Sequence, residues 1–338
     1  MTGQSLKPIT ILGAGSWGTA LALHLAKRGQ TVRLWSIEIP EVAAMLAERT
    51  NNRYLPGFPF PAQIEPTANL TEAIKGIDDI LVAVPSVGFK ETLFILKSII
   101  SKDVRIICAS KGLDEETGQL MHEIVLDVLG KHRKCAVLSG PSFAREVAAG
   151  LPTAVAIASK DKAFLSDLTE RFNTPHFQVF PTDDMAGVEI GGVTKNVIAI
   201  ATGICDGMAL GANARSALIT FGLAEMMRLG ALLGGKMETM VGLAGMGDLI
   251  LTCTDNQSRN RRLGLAIGKG RKIAEAEQEI GQVVEGKRNA ELVSLLANKH
   301  GIEMPICEAT WQILQGKLSA KEAVDQLLAR AAASKVEA

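Results

Sequence analysis

Residues Gly13-Ala14-Gly15-Ser16-Trp17-Gly18 constrain this chain more than any other stretch. They follow a short apolar run, 9–12, and precede a helix-like stretch, 19–26, that stops at Gly29. Strand, glycine turn, helix is the setting a dinucleotide-binding fingerprint requires. In that reading Gly13 makes the tight turn, Gly15 lets the backbone approach a pyrophosphate, and Gly18 lets helix and strand pack closely. The helix N-terminus then points N–H groups and a partial positive charge at the phosphates. Glycine turns without chemistry are common. The flanking strand and helix, more than the spacing alone, carry the inference.

The rest of the first half alternates short apolar runs with amphipathic stretches, as βαβ units with a parallel sheet would. Candidate strands fall at 9–12, 31–35, 80–84, 105–109, 135–139, 154–158 and 177–180. Several end in small or polar residues: Pro85-Ser86, Ser110-Lys111-Gly112 and Gly140-Pro141-Ser142. Ligands of an open α/β sheet sit outside the carboxyl ends of its strands. The Pro- and Asn-rich segment 51–66 reads as a loop over that edge. Beyond about Gly187 strand signals vanish. Helix-like runs follow at 192–205, 213–229, 262–268, 288–299 and 320–332. The expected fold class is α/β. An N-terminal Rossmann-like doubly wound sheet, residues 1–190, precedes a mainly α-helical substrate-binding domain, residues 191–338.

Composition narrows the function. Lys+Arg and Asp+Glu balance at 36 each, so no global field attracts nucleic acid or a membrane surface. One stretch departs from that balance: 258–272 holds six basic residues and no acid. It reads as a solvated helix face or as an anion site. The five cysteines are scattered without a CxxC, against a zinc site or a disulfide framework and in keeping with a reducing cytoplasm. Residues 1–8 lack the apolar core of a signal peptide. Segment 186–205 is nearly apolar enough to span a membrane. It carries Glu189, Lys195 and several glycines, so a buried helix is expected and no membrane span.

Lys195 lies in that same apolar run. Burying a lone ammonium is expensive, and the usual response is a partner or a depressed pKa. Such a lysine is a candidate acid/base; a lysine snorkelling from a helix end is the alternative. Asp248 is a lone acid in the glycine-rich stretch 245–250, available to orient a lysine, to accept a substrate hydroxyl, or simply to cap a helix. Ser258-Arg259-Asn260 sets a hydroxyl, a guanidinium and an amide side by side at a helix start, a combination suited to phosphate.

At this point the motifs match a known family. VAVPS (82–86), SKGL (110–113), SGPSFA (139–144), GGVTKNVIAIATG (191–203), GANARSALIT (211–220), AGMGDLILTCTDNQSRNRR (244–262) and VVEG (283–286) occur in order. Over nearly its whole length the chain resembles the bacterial-type NAD(P)-dependent glycerol-3-phosphate dehydrogenases. The resemblance implies reversible hydride transfer between NAD(P)H and dihydroxyacetone phosphate, giving sn-glycerol 3-phosphate, the glycerophospholipid precursor. It implies Lys195 as the acid/base. It places Lys111, Gly140, Ser142, Asp248, Ser258, Arg259 and Asn260 on the substrate. It places Ser16, Trp17, Lys111, Ala144, Arg259, Val283 and Glu285 on the cofactor, beside Gly13, Gly15 and Gly18. No metal is implied. Relatives are often dimers, and the apolar helices of the second half permit a homodimer.

The cofactor's 2′ position is where this chain departs from many relatives, which carry a histidine or arginine after the second strand. Here Trp35-Ser36-Ile37-Glu38 follows, with Arg33 inside the strand. NADPH is expected to be preferred over NADH, with Ser36 donating to a 2′-phosphate and Arg33 or Arg259 supplying charge. The rival is that Glu38 turns inward and excludes the phosphate. Two further readings compete with the dehydrogenase itself. One is a β-hydroxyacid or 6-phosphogluconate-type dehydrogenase; the other is a regulator that binds NAD(P)H without turnover.

Overall fold

The computed structural model describes residues 7–333. Most of the segment read against a signal peptide, residues 1–6, lies outside the described residues. The chain divides into two units. The first takes in the residues up to Asp114 together with Gln119–Val188; the second takes in Glu115–Gly118 and the chain from Glu189 on.

Among the described residues, ten strands precede Met185: β1 (Ile9–Leu12), β2 (Val32–Trp35), β3 (Thr50–Asn51), β4 (Leu55–Pro59), β5 (Ile64–Thr67), β6 (Asp79–Val82), β7 (Arg105–Cys108), β8 (Cys135–Ser139), β9 (Thr153–Ala158) and β10 (Phe177–Thr182). Eight of them form one sheet in the order β10-β9-β8-β7-β6-β1-β2-β5. β1 is fully buried and pairs in parallel with β2 (Leu12 opposite Trp35) and with β6 (Leu12 opposite Val82). Continuous apolar runs such as Ile9-Thr10-Ile11-Leu12 fit strands covered on both faces. The chain leaves β1 toward β2 and later returns to β1's other side as β6. That reversal opens a crevice at the carboxyl ends of β1 and β6, where α/β proteins bind ligands. The helix Ser16–Lys27 buries Leu21 and Leu25 against this sheet.

Two expectations need correction. Segment 51–66 is no loop: it holds most of the β3–β4 antiparallel hairpin and the start of the edge strand β5, which pairs only with β2. Its prolines are tolerated because an edge strand and a two-stranded ribbon leave N–H positions unpaired. Nor is the sheet wholly parallel, since β9 runs antiparallel to β8 and β10 follows β9. The only helix between β8 and β9 is Ala144–Ala149, six residues. At about 9 Å it is too short to carry the chain back along a strand of about 16 Å, so β9 returns from the edge where β8 ended.

Among the described residues of the second unit there are helices and no strands. Its axis is the 23-residue helix Met185–Gly207, whose most apolar window is 94% buried. The side chain of Asp184 starts it by accepting from Gly187 N at 2.9 Å. Around its Glu189–Gly207 portion lie Ala212–Leu232, a π-helical turn Leu243–Gly247 running into Asp248–Thr254, Arg259–Gly268 and Glu285–His300. All five cysteines are buried and free.

Candidate functional site

Candidate site residues lie in each of the two units. In the first, Gly13 adopts φ +108°, and a Cβ there would meet Ala83 O at 2.7 Å. A Cβ on Gly18 would stand 2.0 Å from Gly13 O, whereas Gly15 faces open space within 4 Å. Gly13 makes the turn and Gly18 the close packing that their spacing predicts, and the space at Gly15 leaves room for the approach of a ligand. Gly15 precedes the helix Ser16–Lys27, whose start has no side-chain cap. Its first turn points backbone N–H groups and the positive end of the helix dipole toward the place an anion would take. The indole Nε1 of Trp17 is buried without a protein partner. These features fit a dinucleotide pyrophosphate.

Residues at the ends of β6, β7 and β8 gather at one sheet edge. Ser110 Oγ donates to Val84 O at 2.5 Å, Lys111 Nζ donates to Gly140 O at 3.4 Å, and Ser142 Oγ donates to the same carbonyl at 2.9 Å. Gly140 holds φ +142°. Ala144 opens the short helix after β8. Lys111, Gly140, Ser142 and Ala144, all expected near a ligand, thus lie together past the ends of β7 and β8.

The 2′-phosphate expectations fare differently. Arg33 is occupied: its Nη1 donates to the carbonyls of Glu72 (3.2 Å), Ala73 (3.3 Å) and Lys75 (2.5 Å). Ser36 is buried, and its Oγ accepts from Glu38 N at 3.2 Å. The Glu38 carboxylate accepts from the Tyr54 hydroxyl at 2.9 Å and lies 3.5 Å from Arg53 Nη1.

In the second unit, Lys195 Nζ donates to Asp248 Oδ1 at 2.6 Å and to Thr252 Oγ1 at 3.0 Å. Thr252 in turn donates to Asp248 O at 2.6 Å. All three residues are buried. The approach depends on Gly191, one turn before Lys195 on the same helix face. A Cβ there would meet Ala244 O at 2.2 Å, so only glycine lets the helix touch the π-helical turn that delivers Asp248. Asp248 is the first residue of its helix, but its N-cap is Gly247; the capping role does not apply. Thr252 escaped sequence reasoning, although its place one turn after Asp248 on one helix was the available signal. Burial pushes the Cys253 thiol up to about 12, so this neighbour is no nucleophile.

Ser258 caps the helix Arg259–Gly268 by accepting from Arg261 N at 3.1 Å. This helix packs backbone to backbone on the central one. A Cβ on Gly264 would stand 2.0 Å from Ile200 O, and one on Gly203 would stand 2.2 Å from Arg261 O. Close approach brings Asn260 Nδ2 to Asn196 Oδ1 at 2.8 Å, while Asn260 Oδ1 accepts from Gly286 N at 2.9 Å. The start of the Arg259 helix is thereby pinned to the residue next to Lys195, and to the helix that Glu285 opens. Arg259 Nη1 donates to Gln282 Oε1 at 3.3 Å. Burial lowers the affinity of the Arg259 guanidinium for its proton, with Glu285 opposing and Arg262 reinforcing. Val283, beside Gln282, is exposed.

The basic stretch 258–272 is not one anion site. Arg261 pairs with Asp206 at 2.5 Å, Arg271 with Glu279 at 2.5 Å, and Lys272 with Glu275 at 3.9 Å. No group of three or more His, Cys, Asp or Glu with metal-binding placement occurs among the described residues.

Residues 8–165 match the family described as NAD-dependent glycerol-3-phosphate dehydrogenase N-terminus, and residues 184–325 match its C-terminus. A glycerol-3-phosphate dehydrogenase [NAD(P)+] of Coxiella burnetii (strain RSA 331 / Henzerling II) is 54% identical over 96% of this chain and 97% of its own. The enzyme of the same name from Vibrio vulnificus (strain YJ016) is 50% identical over 95% and 94%. The crystal structure of glycerol-3-phosphate dehydrogenase from Coxiella burnetii superposes with a TM-score of 0.93 at 54% identity, covering 95% of this chain and 98% of that one.

Proposed function

The chain belongs to the NAD-dependent glycerol-3-phosphate dehydrogenase family, and from that premise we propose that it reduces dihydroxyacetone phosphate to sn-glycerol 3-phosphate with NADPH or NADH. NADPH is the preferred donor in this reading. The first unit is the dinucleotide-binding domain, with Gly13, Gly15, Ser16, Trp17 and Gly18 around the pyrophosphate. The second is the substrate domain. The cofactor supplies the hydride that reaches C2. Lys195 donates a proton to the oxygen formed there and takes it back in the oxidation, while Asp248 and Thr252 hold the ammonium in place. Ser258, Arg259 and Asn260 bind the substrate phosphate, Arg259 through a charge-assisted fork. Lys111, Gly140 and Ser142 contact substrate, Lys111 adding positive charge near the developing alkoxide. Lys111, Ala144, Arg259, Val283 and Glu285 contact the cofactor.

The observation that carries this reading is the Asn196–Asn260 bond. It holds the start of the Arg259 helix, the anion site in this reading, against the neighbour of a buried, carboxylate-held lysine. A carbonyl substrate with a phosphate on the adjacent carbon needs those two functions close together. Five buried free thiols fit a cytoplasmic location. The exposed apolar side chains of Phe221, Leu232 and Met237 fit a homodimer. The test is absorbance of NADPH: oxidation is expected on adding dihydroxyacetone phosphate, with no NADP⁺ reduction by 6-phosphogluconate or β-hydroxyacids. Cofactor binding without turnover would leave only a nucleotide-sensing role.

A further inference from the structure

Two residues of the β3–β4 hairpin, Asn51 at the end of β3 and Tyr54 in the turn, tie it to the glycine loop. Asn51 Nδ2 donates to Ala14 O at 2.7 Å and to Thr19 Oγ1 at 2.9 Å. Tyr54 O accepts from Ser16 Oγ at 2.7 Å. Arg53 lies between those anchors, so its place beside the phosphate-binding helix is built in. It is 51% exposed, with Nη1 at 2.6 Å from Glu41 and 3.5 Å from Glu38. Glu38, 37% exposed, stands 20 residues beyond Gly18, about where an acid of a Rossmann site meets the ribose 2′-hydroxyl. Ile37 and Ile39 on either side of it are exposed, as an apolar shelf for an adenine would be.

We propose that Arg53 receives the 2′-phosphate of NADPH, and that Glu38, its ion-pair partner, receives the 2′-hydroxyl of NADH. The proposal rests on reading the first unit as the NAD(P) site. An exposed ion pair is weakly held, so a dianionic phosphate displaces the Glu38 carboxylate from Arg53 at little cost. When a hydroxyl arrives instead, Glu38 accepts from it and Arg53 stays on Glu41. One acid–base pair then serves both cofactors, which neither Ser36 nor Arg33 is placed to do.

The test is equilibrium binding of NADPH and of NADH, followed by cofactor fluorescence without substrate. Arg53→Ala is expected to raise the NADPH Kd about ten- to a hundred-fold, the loss of a charge-assisted fork, and to leave NADH within about two-fold. Arg53→Lys, which keeps the charge, should recover part of the loss. Glu38→Gln should weaken NADH and spare or strengthen NADPH. Added salt should weaken NADPH more than NADH in the natural protein, and equally in Arg53→Ala. Equal weakening of both cofactors by Arg53→Ala, or none, overturns the assignment while leaving the dehydrogenase reading intact. If the natural protein binds neither cofactor, both readings fall together.

Discussion

Lys195 and Asp248 stand 53 positions apart in sequence and meet at 2.6 Å in the interior of the second unit. Neither side chain is more than 9% exposed. A buried pair of this kind is poor evidence for added stability, because desolvating two charges offsets most of their attraction. Its value lies in placement: the carboxylate fixes one ammonium at one point. Lys195→Met keeps the apolar stem and removes the charge. Turnover should fall by about 10²–10⁴, the usual contribution of general acid catalysis, with NADPH binding intact. Near-normal turnover in the correctly folded variant would make the lysine structural and leave Lys111 as the next candidate acid.

The same pair makes an unequal prediction for stability. Asp248→Ala strands a buried ammonium and should cost about 3–5 kcal/mol, read by urea unfolding. Lys195→Met together with Asp248→Leu removes both charges and should lie closer to the natural protein than Asp248→Ala does. If the single and double variants unfold alike, the two charges do not interact as their distance implies. Asp248→Asn, which keeps Thr252 as a partner, should lower turnover less than Lys195→Met.

Parts of this arrangement were legible in the sequence and parts were not. The seven expected strands all exist, the central ones because buried parallel strands such as β1 and β6 are written as continuous apolar runs. β5 was hidden by Pro66, and the reversal of β9 by the shortness of the helix before it. Lys195 stood out as one cation in an apolar helix, and the Gly13–Gly18 turn as a local motif. Its partners did not stand out: that Asp248 turns inward depends on Gly191, which no local pattern links to residue 248. Charge counting misjudged Arg261, whose counter-ion Asp206 lies 55 positions away. Arg53 was invisible because its role comes from where Asn51 and Tyr54 pin the turn.

Arg259 and Arg261 offer a controlled contrast. They are two residues apart on one helix, yet Arg261 is spent on Asp206, which also pairs with Arg215 at 2.9 Å. Arg259→Ala should raise KM for dihydroxyacetone phosphate about ten- to a hundred-fold, the loss of a charge-assisted fork worth about 1.5–3 kcal/mol. Arg261→Ala should lower the unfolding midpoint while the folded protein keeps its KM within about two-fold, since it leaves the phosphate site's own side chains in place. An unchanged KM in Arg259→Ala removes that arginine from the site. A large KM change in Arg261→Ala would show that the anion site extends along the basic stretch after all.

His24 gives the first unit one pH-dependent contribution to its stability. Its Nε2–H donates to Phe172 O at 2.7 Å, and its ring lies 4.3 Å from that of Phe177. Burial brings its pKa from 6.5 down to about 4, helped by Arg28 and Lys27 and opposed by the Phe172 hydrogen bond. The folded state therefore holds this imidazole neutral. Between about pH 6.5 and 4 the unfolded chain binds a proton that the folded chain refuses, so stability drops as pH falls through that window. The full term is on the order of 3 kcal/mol, present above pH 6.5 and lost toward pH 4. His24→Gln has no such proton to bind. The gap in unfolding free energy between the natural protein and this variant should be widest near pH 7.5 and should shrink steadily toward pH 4.5. Parallel curves across that range would mean that His24 titrates alike in both states, and the acid sensitivity of the first unit would then belong to other groups.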